Sequence, residues 1–98
     1  MYGRVTRLEG SSEQIDQGNE FMQQTILPAA RQLDGFRGVL SLTDRESGTG
    51  LTITLWESEE AMKASEEAAN RLRDEAAQAF GGTVVGVDRY EVTFSELP

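Results

Sequence analysis

The clearest candidates for chemistry are a run of carboxylates and one indole in the second half of the chain. Hard cations bind clustered carboxylates, and this run comprises Glu57, Glu59, Glu60, Glu66 and Glu67. The segment has helical periodicity, however, and places basic residues four positions after its acids, as is typical of a solvated helix surface. We therefore predict a solvent-exposed acidic face here and no metal site.

The indole is Trp56, which ends a predicted strand. Its ring could line a pocket for a flat aromatic ligand. It could instead fasten the strand end to the following helix, with its N–H bonded to a nearby carbonyl, and the sequence favours this packing role. Arg4 and Arg7 on the first predicted strand pose a similar choice: they could meet an anionic substrate, but charge balance at a sheet edge is favoured.

Two residue types that carry much of enzyme chemistry are missing. The 98 residues contain no His and no Cys, which excludes imidazole and thiolate metal ligands, a histidine-ligated haem and any triad built on His or Cys. We predict no cofactor.

The net charge of −8 disfavours nucleic acid and anionic membranes as partners, because both repel an acidic surface. No apolar run approaches the roughly 20 residues of a membrane span, and the first residues lack the apolar region of a signal peptide. We expect one domain over residues 1–98 and a cytoplasmic location.

The hydrophobic pattern predicts the order strand, helix, strand, strand, helix, strand. The predicted strands span residues 2–8, 36–44, 51–56 and 83–94. The first helix should follow a capping box of Ser11 and Gln14 and bend near Pro28, and the second should run from Ser58 to about Phe80. This order predicts the α+β, ferredoxin-like βαββαβ fold: a four-stranded antiparallel sheet with both helices on one face.

The first predicted helix has one apolar stripe, formed by Ile15, Met22, Ile26, Ala29 and Leu33. On the third strand the most apolar row is Leu51, Ile53 and Leu55, so we expect the helices to cover that side and Trp56 to lie on the bare one. In the last strand Val84 and Tyr90 should share one side, and Gly86 is a candidate bulge. Aromatic residues on an uncovered face favour association, and we predict a homodimer.

Residues 35–62, GFRGVLSLTDRESGTGLTITLWESEEAM, resemble the antibiotic biosynthesis monooxygenase (ABM) superfamily. The marks are Gly-Phe after a Pro-containing helix, two strands joined by a short polar hairpin, and a Trp that leads into the second helix. The resemblance implies a dimeric α+β barrel in which two sheets pack face to face. It also implies a pocket between each sheet and its own helices.

The resemblance also suggests pocket residues. Trp56 matches the Trp of the polyketide oxygenases of this superfamily, while Thr52 stands where they have Asn and Met62 where they have Tyr. Their helical Arg falls near Ala76, and the closest arginine here is Arg73. Trp56, Thr52, Met62 and Arg73 are therefore the candidate pocket residues.

The haem-degrading branch of the superfamily requires a helical His, which this chain lacks, so haem degradation is rejected. Two functional hypotheses remain. One is a cofactor-independent monooxygenase acting on a hydrophobic aromatic metabolite, where the protein supplies shape, desolvation and hydrogen bonds. The other is a non-catalytic ligand-binding or accessory domain on the same scaffold. The sequence leaves catalysis itself open.

Overall fold

The computed structural model describes residues 1–98 and contains one four-stranded antiparallel sheet with helices on one face, as predicted. The strands are β1 (Tyr2–Glu9), β2 (Phe36–Thr43), β3 (Thr49–Trp56) and β4 (Thr83–Glu91). Their order in the sheet is β2-β3-β1-β4. β1 is thus a central strand, paired with both β3 and β4, and the expectation that it lies at a sheet edge is wrong.

The first helical segment is built from several short pieces. A 3-10 turn (Ser12–Gln14) precedes α1 (Ile15–Phe21), a π turn (Met22–Ile26) and α2 (Leu27–Ala30). In the π turn the N–H of Leu27 donates to the carbonyl of Met22. Because a proline ring clashes with the carbonyl four residues earlier in a regular α-helix, this wider turn just before Pro28 relieves the clash and confirms the predicted reset.

The π turn also moves the apolar stripe by one position. Ile15, Met22 and Ile26 are buried as expected, but the next buried residue is Ala30 and not Ala29. The predicted capping box is wrong as well. Ser11 Oγ accepts from the N–H of Glu13 at 3.3 Å, so it caps the 3-10 turn and not the α-helix.

The second helical segment is divided into α3 (Glu59–Ala64) and α4 (Glu66–Ala79). The predicted N-cap at Ser58 is confirmed by a 3.1 Å bond from the N–H of Ala61. The break falls at Ser65, whose hydroxyl donates to the carbonyl of Met62 at 2.7 Å. Such back-bonding competes with the regular helix ladder and bends helices, which explains why one continuous helix was not obtained.

The helices cover the opposite face of the sheet from the one expected. Trp56 is 1% exposed beneath them, and Thr52 and Thr54 line a cavity on that side. By alternation Leu51, Ile53 and Leu55 point to the bare face. The prediction is wrong because it assumed that the more apolar row of β3 lies under the helices. In this sheet that row is on the bare face, and the threonines of β3 lie on the covered face.

The last strand confirms the predicted irregularity near Gly86. The register of β4 against β1 shifts where Arg7 pairs with Gly86 and Leu8 pairs with Val84. This bulge places Val84 on the helix-covered side and Tyr90 on the bare side, so the expectation that they share a face is wrong. The strand ends at Glu91, short of the predicted residue 94.

None of the helices combines the length and the apolar character that a membrane span requires.

Candidate ligand-binding cavity

A small cavity lies between the sheet and the helices. Its volume is about 70 Å³, and 12 of its 17 lining residues are hydrophobic. At about 10–15 Å³ for each enclosed water position, it has room for about five water molecules. The helical side contributes the apolar wall residues Met22, Ile26, Ala30, Ala69, Leu72 and Ala76.

The polar lining comes mainly from strands. Arg4 and Thr6 of β1 and Thr52 and Thr54 of β3 face the cavity, and Arg73 of α4 faces it from above. These strand residues are in register, since Arg4 pairs with Thr54 and Thr6 pairs with Thr52. Polar residue types therefore lie mainly on the sheet side, but the surface that the cavity presents is almost entirely apolar. Such a surface suits a largely apolar ligand that makes only a few polar contacts.

Arg4 is the most deeply buried charged residue of this lining. Its side chain is 3% exposed, and its Nη2 donates to the Met62 carbonyl at 2.7 Å, to Ser65 Oγ at 3.1 Å and to Glu66 Oε1 at 3.0 Å. Its Nε is buried without a hydrogen-bond partner. A buried unsatisfied donor costs about 1–3 kcal/mol, so Arg4 is held in place by strong bonds on one side while a donor is left open on the other.

Glu66 joins Arg4 to a second arginine. Its Oε1 and Oε2 accept from Arg89 Nε and Nη2 at 2.7 and 2.8 Å, a two-bond fork that is stronger than a single neutral bond. The fork from Arg89, with the bond from Arg4, lowers the pKa of Glu66 from 4.5 to about 2. The carboxylate is therefore ionised at neutral pH.

Arg73 reaches the cavity from α4. Its Nη1 donates to Asn70 Oδ1, whereas its Nη2 is buried without a partner. Burial, and next the positive charge of Arg4, lower the pKa of Arg73 from its ordinary value. No carboxylate forms an ion pair with this guanidinium, in contrast to Arg4 and Arg89.

Trp56 closes one end of the cavity. Its Nε1 donates to Thr54 Oγ1 at 3.0 Å, and Phe36 packs edge-on at a centroid distance of 5.6 Å. The guanidinium carbon of Arg4 lies 5.4 Å from the centroid of the indole, within the range of a cation–π contact. The ring is thus packed into the protein and also forms part of the cavity wall.

Of the four candidate pocket residues, Trp56, Thr52 and Arg73 line one cavity. Met62 does not belong to its lining. It is 2% exposed in α3, and its backbone carbonyl, not its side chain, takes part by accepting from Arg4. The structure brings the first three together and places Met62 behind Arg4.

Sequence reasoning missed the roles of Arg4 and Glu66. Glu66 was placed on the exposed acidic face, but it lies against Arg4 and Arg89, so that prediction is wrong for this one residue. Arg4 was placed at a sheet edge. The available signal was its position two residues before Thr6, on the side of β1 that continues to the buried Leu8. No group of three or more acidic side chains converges as a metal site.

Comparisons with known proteins agree with this architecture. The monooxygenase from the gene ActVA-Orf6 of Streptomyces coelicolor, solved in complex with the ligand nanaomycin D, superposes with a TM-score of 0.71 at 17% identity, over 99% of this chain and 91% of that one. SnoaB, a cofactor-independent oxygenase from Streptomyces nogalater, gives a TM-score of 0.67 at 18% identity, over 96% and 94%. A third similar structure, described as an antibiotic biosynthesis monooxygenase from Deinococcus radiodurans, gives a TM-score of 0.70 at 22% identity, over 100% of this chain and 98% of that one. The chain therefore has an ABM-like fold within one subunit: a four-stranded antiparallel sheet with helices on one face.

No family profile matches the chain. Among curated sequences, the uncharacterized protein Rv2557 of Mycobacterium tuberculosis is 39% identical over 92 residues, which cover 94% of this chain. The match spans only 41% of that relative's length. The relatives therefore contain a region similar to this chain within a considerably longer sequence.

Proposed function

We propose that this protein binds a small, largely apolar molecule in the cavity beside Trp56, and that it does so as a homodimer. The observation that carries the proposal is the cavity itself: a mostly apolar recess between the sheet and two helical segments, partly open to solvent, with Arg4, Thr52 and Arg73 among its lining residues. Enclosed apolar walls with a few polar groups are the usual composition of a small-molecule site.

The size of the cavity restricts the ligand. Sites for drug-sized molecules measure about 300–1,000 Å³, whereas this cavity measures about 70 Å³. A ligand of a few carbons fills it, and a larger aromatic metabolite requires the roof formed by Leu27, Ala30 and Leu33 to move. The proposed ligand is therefore smaller than the aromatic metabolite that the resemblance alone suggests.

The homodimer is supported by the bare face of the sheet. Residues there, or at its edge, are unusually exposed for their type: Leu40 at 44%, Leu42 at 51%, Val85 at 48% and Tyr90 at 56%. Together with the row of Leu51, Ile53 and Leu55, they form a largely apolar surface, interrupted by the exposed ion pair of Arg7 and Asp88, that a second copy would cover. Surfaces of this kind on soluble proteins mark association sites, and a two-fold pair of identical sheets is the simplest arrangement that buries it.

Cofactor-independent oxygenation is a second candidate. Its support is the likeness to SnoaB, combined with hydroxyl and guanidinium donors in an enclosed site. No His or Cys is present to act as a base, so the substrate itself would have to enter as an anion and reduce oxygen. The protein would contribute desolvation and hydrogen bonds from Thr52 and Arg73. Oxygen uptake with an acidic phenol, measured in an oxygen electrode, tests this candidate.

Ligand binding can be tested through the single tryptophan, with a variant that fills the cavity. Isoamyl alcohol should change the fluorescence of Trp56 saturably, because the ring forms part of the cavity wall. Ala69→Leu inserts three carbons into the roof and should abolish the change. Ala64→Leu, on the exposed side of α3, should leave it intact. No saturable change in the unmodified protein, or equal binding by both variants, would contradict the proposal.

A further inference from the structure

Two buried side-chain nitrogens lack a hydrogen-bond partner in this protein: Arg4 Nε and Arg73 Nη2. They come from different elements, β1 and α4, yet both residues line the same cavity. Buried polar groups are almost always hydrogen-bonded, and an exception calls for an explanation. Two such exceptions at one apolar cavity suggest that a ligand supplies the missing acceptor.

The charges around the cavity point in the same direction. Three guanidinium groups, those of Arg4, Arg73 and Arg89, surround a single carboxylate, Glu66. Both oxygens of Glu66 are already occupied, Oε1 by Arg4 and Arg89 and Oε2 by Arg89. Glu66 is the only carboxylate hydrogen-bonded to these three arginines, while Asp74 and Asp88 act on Arg73 and Arg89 through longer-range attraction. No carboxylate bonds directly to Arg73, in a chain whose net charge is −8.

The distribution of this positive charge is uneven. Arg89 is satisfied by its fork with Glu66, and Arg4 is satisfied on its Nη2 side only. Arg73 has only the neutral amide of Asn70. Asp74, its neighbour in α4, lies on the exposed surface. Both arginines line the cavity, so an anion that reached their open donors would be desolvated and held by charge-assisted bonds.

We infer that the ligand of this cavity is a compact apolar carboxylic acid, bound as its carboxylate by Arg4 Nε and Arg73 Nη2. The inference rests on the proposed ligand-binding function and specifies its chemistry. A carboxylate offers two oxygens in one plane, one for each open donor, and it carries a single charge. Phosphate is more highly charged and more strongly hydrated, and it has no apolar part to cover the roof.

The cavity also sets the length of the acid. Space for about five water molecules corresponds to an acid of about four to six carbons, once its carboxylate occupies the two donors. The apolar part would lie against side chains such as Leu72 and Ala76. Branched short-chain acids fit this description.

The experiment compares 3-methylbutanoate with its neutral isostere 3-methylbutanamide by isothermal titration calorimetry. With two charge-assisted bonds, the carboxylate should bind at least about tenfold more tightly than the amide. Arg73→Gln should remove most of this preference by weakening the carboxylate about tenfold and leaving the amide within about twofold. Arg73→Lys, which keeps the charge without the planar donors, should be intermediate.

Two further measurements keep the result interpretable. Arg71→Gln removes an exposed arginine from the same helix and should change neither affinity. In the unmodified protein, the Nε–H resonance of Arg4 should shift with 3-methylbutanoate and stay in place with the amide. This signal reports the proposed contact directly, independently of any variant.

The outcomes distinguish the carboxylate inference from the proposal that the cavity binds a small apolar ligand. Equal binding of acid and amide, or an Arg73→Gln variant that keeps the preference, would overturn the carboxylate assignment. The apolar cavity would then stand as a site for neutral ligands. If neither compound binds and isoamyl alcohol also fails, the ligand-binding function itself is overturned.

Discussion

The two faces of the sheet reverse the usual relation between polarity and burial. The helix-covered face carries Arg4, Thr6, Thr52 and Thr54, while the bare face carries a row of leucines and isoleucine. In a monomer with one wet face the opposite is expected. The polar residues lie under the helices because they line a cavity there. The apolar residues of the bare face are the surface that we propose a second copy of the chain covers. The polarity of a sheet face therefore indicates what that face contacts. It does not indicate whether the helices cover that face.

The largest effect is expected from a charge on the bare face. Leu42→Asp places a carboxylate in the surface that we propose a second copy covers, twice in each dimer. At about 2 kcal/mol for an interface residue in each subunit, the dimer should be weakened by about 4 kcal/mol. Sedimentation equilibrium should then give a mass near the 10.8 kDa of one chain.

Ser41→Asp is the matched control for this change. Ser41 is an exposed neighbour on the same strand, and its side chain points to the opposite face. It should sediment as the unmodified protein does, at about twice the chain mass. If the unmodified protein is a monomer at micromolar concentration, the proposal that a second copy covers the bare face is contradicted.

On the helix-covered face the corresponding change is Arg4→Met. It removes one of the two side-chain donors to the Met62 carbonyl, the other being Ser65 Oγ, and one of the partners of Glu66, with little change in volume. Breaking a buried ion pair costs about 3–5 kcal/mol; because Arg89 stays on Glu66, we expect about 3 kcal/mol in the free energy of unfolding, measured by urea denaturation.

Arg7→Met provides the comparison across the sheet. Arg7 is on the same strand with its side chain 56% exposed, and its only ion pair is with Asp88 at 3.8 Å. Such exposed pairs contribute about 0–1 kcal/mol, so this variant should lose little. Similar losses in both variants would show that Arg4 is not anchored as described.

Low pH should decrease the free energy of unfolding, because Glu66 becomes protonated and loses its ionic bonds to Arg4 and Arg89. Its pKa falls from 4.5 to about 2 on folding, so it stabilises the protein fully above about pH 4.5. That contribution disappears as the pH drops toward 2, because the folded state must then accept a proton. Allowing for the partial exposure of the carboxylate, we expect about 2 kcal/mol.

The measurement is the difference in unfolding free energy between the unmodified protein and Glu66→Gln as a function of pH. The gap should be largest at neutral pH and close between pH 4.5 and 2. A gap that stays constant over this range would mean that the carboxylate and its arginines do not interact in the folded state.

Trp56→Phe separates the two roles of the indole, in packing and in the cavity wall. The smaller ring leaves a void and removes the donor to Thr54 Oγ1, which should cost about 1–3 kcal/mol. Because Trp56 forms part of the cavity wall, the same change should also weaken the binding of 3-methylbutanoate, measured by calorimetry. Lost stability with unchanged binding would assign Trp56 to packing alone.

Local patterns in the sequence were sufficient for the order of elements and for most of their ends. Ser58 caps α3 as predicted. Gly35, expected to end the first helix, lies in the turn before β2 with φ 79°, a left-handed conformation that favours glycine, while the helical segment itself ends at Ala30. Trp56, Thr52 and Arg73 line one cavity, and their role in binding stays a prediction. These features depend on neighbours within a few residues or on the alternation of a single strand.

What could not be predicted depends on contacts between distant segments. Glu66 follows Arg4 by 62 positions, and only the central place of β1 brings the two together. The helix break at Ser65 arises from the same contact region. The covered face could not be assigned from β3 alone, because alternation separates two sides of a strand without stating which one the helices take.

The π turn at Met22–Ile26 has a consequence for sequence comparison. Each residue of an α-helix advances the chain by about 100° around its axis, and this turn holds one residue more than a regular turn. Ala30 therefore lines the cavity where an uninterrupted helix was expected to place Ala29, whereas Leu33 lines it at the expected position. An ungapped alignment with a relative that lacks the extra residue would match Ala30 to a surface position. Equivalent cavity walls would then look unrelated, although a single-residue gap restores their correspondence.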